Sequence, residues 1–229
     1  MEVGGMESPV SERVEDYLKV IYSLTTGAER ASTGEIARVL QISPASVTDM
    51  IQRLAAENPP LVDYRKHQGV GLTDEGEKVA LETLRHHRLL ELFLHELLGY
   101  SWDQVHEEAD RLEHVISEYF EERISDVLGD PEKGLYGEPI PSEELHIPVR
   151  EDICLHDMRP GQRGVIQSVK DDDPGLLQYL QTNGLIPGAR IEVLDYSPYD
   201  NNLRIRVKEH DQEIVLGAAV TAQIFVDLQ

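Results

Sequence analysis

The sequence predicts a mainly α chain that ends in an all-β domain. Two observations carry this prediction. Apolar residues recur at steps of three and four over roughly the first 130 positions, which is typical of amphipathic helices. After a stretch rich in glycine and proline, short apolar runs alternate with turn sequences such as Pro187-Gly188, which is typical of a small β fold.

The first predicted domain, residues 8–73, is a winged helix-turn-helix. Its first helix opens at Ser8-Pro9 and runs to about Thr26. A second helix begins at the capping box Ser32 to Glu35, and a third begins at Ser43-Pro44. Two strand-like runs then flank a basic loop with one glycine, which predicts a hairpin wing. Three-helix cores also occur in protein-interaction modules, but the added wing favours DNA binding.

The second predicted domain, residues 74–136, is helical. Thr73 caps a long helix that Gly99 ends, and a second helix runs from a capping box at Ser101 to Gly129. The two helices carry more apolar surface than one small domain needs. This surplus predicts a homodimer interface.

The remaining chain is predicted to be a linker and a β domain. Residues 137–150 form the linker, because glycine and proline exclude a helix there. Residues 151–229 contain five strand-like runs joined by turns, which predict a small five-stranded barrel. The five runs cover residues 163–169, 190–195, 203–207, 213–216 and 223–226.

Composition limits the location and the chemistry. The chain has 229 residues and a single cysteine, Cys154, which excludes an internal disulfide and a cysteine-cluster zinc site. Neither a transmembrane run nor a signal peptide is visible, so we expect a cytoplasmic protein with no membrane partner. The net charge of −22 argues against binding to nucleic acid. Residues 30–72, however, hold five basic and four acidic side chains, so this segment is close to neutral.

Four potential metal donors follow one another closely after residue 105. On one continuous helix they would fall within roughly a 100° arc, and imidazole with carboxylate suits a divalent transition metal. Acidic helices often expose such residues without binding anything. The preceding helix, however, adds His87 and Glu91 at a spacing of four, which favours metal binding. The four donors are His106, Asp110, Glu113 and His114.

An enzyme is disfavoured by the same stretch. His106-Glu107 resembles the start of the H-E-x-x-H pattern of zinc proteases, but aspartate stands at the second ligand position, Asp110. Nucleophilic triads, a phosphate-binding glycine loop and a dinucleotide fingerprint are absent from the sequence. We therefore expect no catalytic residue and no small-molecule substrate.

Three motifs resemble the diphtheria-toxin-repressor family of metal-dependent transcriptional regulators. They lie at residues 42–48, 85–91 and 105–114. The last domain resembles the SH3-like, FeoA-type domain of the longer members. The resemblance implies a repressor that binds double-stranded operator DNA as a metal-loaded homodimer and controls genes of metal-ion uptake and homeostasis. A metal-buffering or transport accessory protein is the alternative.

The resemblance also implies two metal sites. The primary site joins a residue of helix one to donors of the later helix, and the ancillary site lies nearby with a carboxylate of the barrel as a further candidate. The primary ligands are Asp16, Asp110, Glu113 and His114. The ancillary ligands are His87, Glu91 and His106, with Asp172 or Asp173 from the barrel.

Departures from the iron-type pattern indicate the metal. Iron-responsive members place methionine and cysteine where Asp16 and Asp110 stand, and carboxylate oxygens are harder ligands that favour Mn²⁺. We expect Mn²⁺, with Fe²⁺ as the alternative and other divalent transition metals binding in vitro. Lys19 stands where small manganese-type members have a second carboxylate, which argues against a closely paired two-metal site.

Recognition of DNA is expected from the start of the third helix, with two basic wing residues near phosphate. Asp49 replaces the amide of iron-type relatives. Its carboxylate could accept a hydrogen bond from cytosine or simply face solvent. The expected DNA-contacting residues are Ser43, Ala45, Ser46, Thr48, Asp49, Gln52, Arg53, Arg65 and Lys66.

Overall fold

The computed structural model describes residues 10–26, 30–148, 151–170, 173–208 and 212–229. These residues form two compact units. The first unit holds the described chain up to His87 together with Leu112–Glu121 and Pro141–His146. The second unit holds Arg88–Arg111, Glu122–Ile140 and the described chain from Ile147 onward.

The first unit contains the predicted winged helix. Ser32 and Glu35 form the predicted capping box of the second helix, and Ser43 accepts a hydrogen bond from the Ser46 amide at the start of the third. Ser8 lies outside the described residues, and Ser11 is the N-cap of the first helix. The elements are α1 (Glu12–Thr25), α2 (Thr33–Val39), α3 (Pro44–Ala56) and the antiparallel hairpin of β1 (Val62–Arg65) and β2 (Gly69–Leu72).

The core of this winged helix follows the apolar spacing of the sequence. Leu18 and Ile21 of α1 are completely buried, as are Ile36 of α2 and Val47 and Ile51 of α3. Removing such side chains from water contributes roughly 1.5 to 3 kcal/mol each. The spacing of three and four therefore predicts the buried faces correctly.

The wing is tied to the helices by contacts at its base. Ala31 and Val70 exchange two backbone hydrogen bonds of 2.9 Å. Arg30 donates to the Asp63 carbonyl oxygen at 2.8 Å and pairs with the carboxylate of the same residue. Gly69 has a φ of +101°, and a Cβ there would lie 2.6 Å from the Ala31 carbonyl oxygen. Only glycine fits this close approach without strain.

The long predicted helix is present as α4 (Asp74–Leu98), which contributes residues to both units. The Thr73 hydroxyl accepts a hydrogen bond from the Gly76 amide at 3.2 Å, which caps the helix as predicted. Gly99 follows the helix at a φ of +74° and allows the chain to leave it. Both ends of α4 were therefore predicted correctly from capping chemistry.

The prediction of one continuous helix from residue 101 to residue 129 is wrong. The structure has two shorter helices, α5 (Val105–Leu112) and α6 (Glu118–Leu128). Ser117 starts α6, since its hydroxyl accepts a hydrogen bond from the Phe120 amide at 3.3 Å. This internal N-cap offers the backbone an alternative to a continued helix.

The break changes the position of two predicted metal donors. Glu113 and His114 lie in the turn after α5 and not on one helical face with His106 and Asp110. Leaving the helix frees their side chains to meet partners on α1 and α4. The 100° arc predicted for all four donors is therefore wrong.

The helix-free segment after α6 is packed along its first half. Tyr136 is fully buried, and its hydroxyl donates to the Trp102 carbonyl oxygen at 2.7 Å. The Val169 amide donates to the Tyr136 carbonyl oxygen at 2.9 Å. These contacts give the segment a fixed position within the second unit.

The C-terminal domain in the second unit is a six-stranded antiparallel sheet in the order β3-β8-β4-β5-β6-β7. The predicted five-stranded barrel omitted β3, because a strand of two residues shows no alternation. Buried residues alternate along β5 at Ile191 and Val193. The strands are β3 (Ile153–Cys154), β4 (Arg163–Val169), β5 (Arg190–Ser197), β6 (Asn202–Val207), β7 (Gln212–Leu216) and β8 (Ile224–Leu228).

Two helices within this domain were not predicted, namely α7 (Pro174–Thr182) and α8 (Ala218–Thr221). Asp173 caps α7, since its Oδ1 accepts from the amides of Gly175 and Leu176 at 2.8 and 3.2 Å. The Asp173-Pro174 pair before an apolar run is a helix start signal in the sequence. None of the described helices has the length and apolarity that crossing a membrane requires.

Candidate metal centre

In the first unit, His114 lies between two carboxylates of α1. Its Nδ1 is 2.6 Å from Glu15 Oε2, and its Nε2 is 3.1 Å from Asp16 Oδ1. The side chains of His114 and Glu15 are buried, whereas that of Asp16 is 46% exposed. The turn after α5 is therefore held against α1 by residues that are 98 positions apart in sequence.

Glu113 in the same turn is fully buried, and its carboxylate lies near Lys19, His87 and His114. Its Oε1 is 2.6 Å from Lys19 Nζ, and its Oε2 is 2.5 Å from His87 Nδ1. A buried carboxylate is costly unless it is paired, so these contacts offset its desolvation. Lys19 thus places a positive charge at the position that the family resemblance assigns to a carboxylate in small manganese-type members.

The electrostatics of this cluster are dominated by negative charge. Burial lowers the pKa of His114, but hydrogen bonds with Asp16 and Glu15 and the charge of Glu113 raise it to about 10. The metal-free chain therefore keeps His114 protonated at neutral pH. The stabilisation from this pairing is complete below the ordinary histidine pKa of about 6.5 and is lost as the pH rises through about 10.

The donors in the first unit fit a divalent metal ion. Asp16, Glu113 and His114 each offer one ligand atom, and these three atoms lie within 4.8 Å of one another. One imidazole nitrogen with two carboxylate oxygens suits Mn²⁺ or Fe²⁺, and the set contains no sulfur. The negative charge that retains a proton on His114 also attracts a dication. We name these three residues the α1 cluster.

The second unit contains three other predicted donors. Glu91 on α4 is fully buried, and its Oε1 is 2.9 Å from His106 Nδ1 on α5. The Nε2 of the same imidazole is 3.7 Å from Asp110 Oδ2. Asp110, predicted to be the fourth primary ligand, is thus placed beside a residue of the predicted ancillary set. His87, predicted to be ancillary, contacts Glu113 in the first unit.

Of the two predicted barrel carboxylates, Asp173 alone lies among the described residues. Asp172 lies outside the described residues. Asp173 is described, and its Oδ1 caps α7. A helix N-cap is the role that the structure gives this carboxylate.

One member of the site was missed by the sequence analysis. Glu15 is 8% exposed and lies on the buried stripe of α1 with Leu18. An acidic residue at this position is the available signal, because glutamate is almost never fully buried unless it is paired.

The predicted DNA-contacting residues lie in the first unit on the outer side of α3 and on the wing. Ser43, Ala45, Asp49, Gln52 and Arg53 are exposed, while Val47, Met50, Ile51 and Leu54 face the core. Ser46 and Thr48 are half-buried. Their hydroxyls contact Ser43 Oγ at 2.9 Å and the Pro44 carbonyl oxygen at 2.9 Å. Arg65 and Lys66 are exposed at the hairpin turn.

Three family models match successive parts of the chain. The N-terminal DNA-binding domain of the iron-dependent repressors matches residues 9–70, and their metal-binding and dimerisation domain matches residues 73–142. The FeoA domain matches residues 153–228. The iron-dependent repressor IdeR of Mycobacterium leprae is 31% identical over 204 residues, which cover 83% of this chain and 86% of that relative. This chain belongs to the diphtheria-toxin-repressor family.

Solved structures agree with this membership. A manganese-dependent transcriptional repressor in complex with manganese matches with a TM-score of 0.88 at 33% identity, covering 94% of this chain and all of the other. ScaR with bound Zn²⁺ matches with a TM-score of 0.80 at 35% identity, covering 93% of this chain and 98% of the other.

Membership in the diphtheria-toxin-repressor family confirms the main prediction from sequence. The chain is a metal-dependent transcriptional repressor with a DNA-binding domain and a dimerisation domain. The names of its relatives include iron, manganese and zinc, so they establish dependence on a metal without selecting one ion.

Proposed function

We propose that this repressor binds operator DNA as a homodimer when Mn²⁺ occupies the α1 cluster, and that it controls genes of metal uptake and homeostasis in the cytoplasm. Fe²⁺ is the alternative ion. The observation that carries the proposal is the position of His114 between Glu15 and Asp16, because it links the winged helix directly to the turn after α5. Asp110 as a further ligand, and the ancillary set of His87, Glu91 and His106, stay predictions.

The residues of the cluster supply a physical basis for a switch. Asp16 and Glu15 hold α1 against the turn that carries Glu113 and His114. A bound dication would neutralise these carboxylates and strengthen the link between α1 and the turn. Without it, the link depends on the protonated imidazole and on the Lys19 ammonium. The metal-loaded form would therefore favour one position of the winged helix, which suits binding to two successive major grooves by a dimer.

Exposed apolar residues support the dimer. Val115 and Tyr119, around the start of α6, are 66% and 67% exposed. Both lie in the region that matches the dimerisation domain of the family. Apolar side chains of this size that remain exposed in one chain are typical of a surface that a second copy covers.

The proposed reading of DNA uses the exposed residues of α3 and the wing. Serine, threonine and arginine mainly contact phosphate, and base recognition requires side chains that reach the major groove. We propose that Gln52 and Asp49 contact base edges, and that Arg53, Arg65 and Lys66 contact phosphates.

The test is a mobility-shift titration with Asp16→Asn. The DNA probe is a fragment that the wild-type protein selects from a random pool in the presence of Mn²⁺. We expect the variant to require at least about tenfold more Mn²⁺ for half-maximal retardation, since a ligand to the ion is lost. Glu12→Gln removes a negative charge from an exposed position of the same helix and serves as the matched control.

Two outcomes contradict the proposal. If Asp16→Asn retards the probe at the same Mn²⁺ concentration as the wild type, the α1 cluster does not control DNA binding. If the wild type selects no DNA with or without Mn²⁺, operator binding by this chain is wrong.

A further inference from the structure

A second cluster of donors lies in the first unit, apart from the α1 cluster. His86 of α4 faces two carboxylates in the first turn of α6. Its Nε2 is 3.0 Å from Glu121 Oε2 and 3.7 Å from Glu118 Oε1. Glu118 and Glu121 are three positions apart, which places them on one side of the helix. None of these residues belongs to the predicted primary or ancillary sets.

The hydrogen bond of His86 fixes which nitrogen is available. Its Nδ1 is 3.0 Å from the carbonyl oxygen of Glu113, and a carbonyl oxygen only accepts, so Nδ1 carries the proton. A metal ion at Nε2 would therefore take the lone pair of that nitrogen in place of a proton. The His86 side chain is 9% exposed, and this nitrogen is buried without a hydrogen bond although Glu121 is near. A histidine that donates one N–H to a backbone carbonyl is arranged as metal ligands usually are.

The carboxylates of Glu121 and Glu118 differ in their exposure to solvent. Glu121 is buried, and its Oε1 accepts from Arg85 Nε at 2.5 Å, which leaves Oε2 toward His86. Glu118 is 70% exposed and gives the cluster a path to solvent. One oxygen is thus fixed from inside the protein, and another can be reached from outside.

Glu82 on α4 is a third acidic side chain beside Glu118. Burial, with the hydrogen bond and charge of Glu118, raises the pKa of Glu82 to about 7. Because Glu82 is then partly protonated at neutral pH, the negative charge of the cluster comes from Glu118 and Glu121, which are the two carboxylates that face His86.

We propose that His86, Glu118 and Glu121 bind a divalent first-row transition-metal ion at a third site. The three ligand atoms lie within 4.8 Å of one another. One imidazole nitrogen and two carboxylate oxygens are donors that suit Mn²⁺, Fe²⁺, Co²⁺ and Zn²⁺. The proposal rests on these residues alone and does not require the proposed function to be correct.

The third site is connected to the α1 cluster through one residue. The backbone of Glu113 accepts the His86 Nδ1–H, and the carboxylate of Glu113 is a donor of the α1 cluster. Occupancy of the third site would therefore help to fix the turn that carries Glu113 and His114. It would act on the switch by positioning a ligand and not by contacting DNA.

The test counts Mn²⁺ bound to the full chain by equilibrium dialysis, comparing the wild type with Glu118→Gln. Glu118 is exposed, so its substitution should not disturb folding. We expect Glu118→Gln to lose one bound ion per chain, or to bind that ion at least about tenfold more weakly. The matched control is Glu122→Gln, which removes the same charge from an exposed neighbour on α6 and should bind as much Mn²⁺ as the wild type.

Anomalous scattering at the manganese edge locates the ions in crystals of the same proteins. We expect a peak beside His86 Nε2 in the wild type that is absent from Glu118→Gln and from His86→Gln. If Glu118→Gln leaves the count unchanged and no peak lies beside His86, the proposal is wrong and Arg85, His86 and Glu121 form an ion-pair network. A missing peak beside His114 would instead contradict the α1 cluster, so the two failures are distinct.

Discussion

At the scale of single residues, the charges around Glu113 set what the proposed metal site of the α1 cluster should bind. The carboxylate is fully buried between Lys19 and His87. Lys19 occupies one of its oxygens at 2.6 Å. Because an ammonium group already neutralises this side of Glu113, we expect the α1 cluster to bind one dication and not a close pair.

Lys19→Glu should change this capacity. The substitution replaces the ammonium with a carboxylate, so the metal-free protein should lose roughly 1 to 3 kcal/mol of stability through unpaired buried charge. The number of Mn²⁺ ions bound per chain should rise by one. Dialysis and unfolding in EDTA or Mn²⁺ measure both effects.

Lys78→Glu is the control for that experiment, because Lys78 is exposed and pairs with Glu75 on the surface of α4. It should leave the Mn²⁺ count unchanged. An unchanged count in Lys19→Glu as well would show that Lys19 does not limit the site.

At the scale of elements, caps and close approaches decide where the chain turns. Ser117 starts α6 and breaks the helix that the apolar spacing suggested. In the wing, Gly69 allows β2 to approach Ala31 more closely than any side chain permits. The first feature positions proposed metal ligands, and the second positions the proposed DNA contacts of the wing.

Gly69→Ala should loosen the wing. The added Cβ would meet the Ala31 carbonyl oxygen at 2.6 Å with φ at +101°, and such strain costs about 1 to 3 kcal/mol. The Val70 amide, which donates to Ala31, should exchange with deuterium faster than in the wild type.

Gly34→Ala is the matched control for the wing prediction. Gly34 lies in α2, where a Cβ would have its nearest neighbour at 3.9 Å. Alanine should therefore raise stability by up to about 1 kcal/mol. Equal effects of the two substitutions would show that the wing contact carries no strain.

At the scale of the whole molecule, DNA binding must overcome a net charge of −22. The proposed phosphate contacts come from a few exposed basic side chains, of which Arg65 and Lys66 lie on the wing. With about six such contacts in a dimer, from Arg53, Arg65 and Lys66 of each chain, doubling the salt concentration should weaken binding of the metal-loaded form about 40-fold.

Lys66→Gln should reduce this salt dependence. Two copies of the contact are lost from a dimer, so the slope of log affinity against log salt should become shallower by about two. Fluorescence anisotropy at several salt concentrations measures the slope. Lys78→Gln should leave the slope unchanged, and an unchanged slope in Lys66→Gln would remove the wing from the DNA interface.

The sequence by itself determined the class of the protein. Helix caps, apolar spacing and the motifs around residues 85–91 and 105–114 indicated the winged helix, the helical domain and the family. These signals are local, because a cap or an amphipathic stripe involves neighbours within a few positions. Short elements such as β3 gave too few residues for such a signal.

Only the tertiary structure decided how the donors are grouped. His114 meets Asp16 from 98 positions away, and His86 meets the carboxylates of α6 while its other nitrogen binds the Glu113 carbonyl oxygen. Periodicity placed Glu113 and His114 on a helical face, whereas the serine cap at 117 put them in a turn. Contacts of this kind depend on packing between distant segments, which spacing along one helix does not encode.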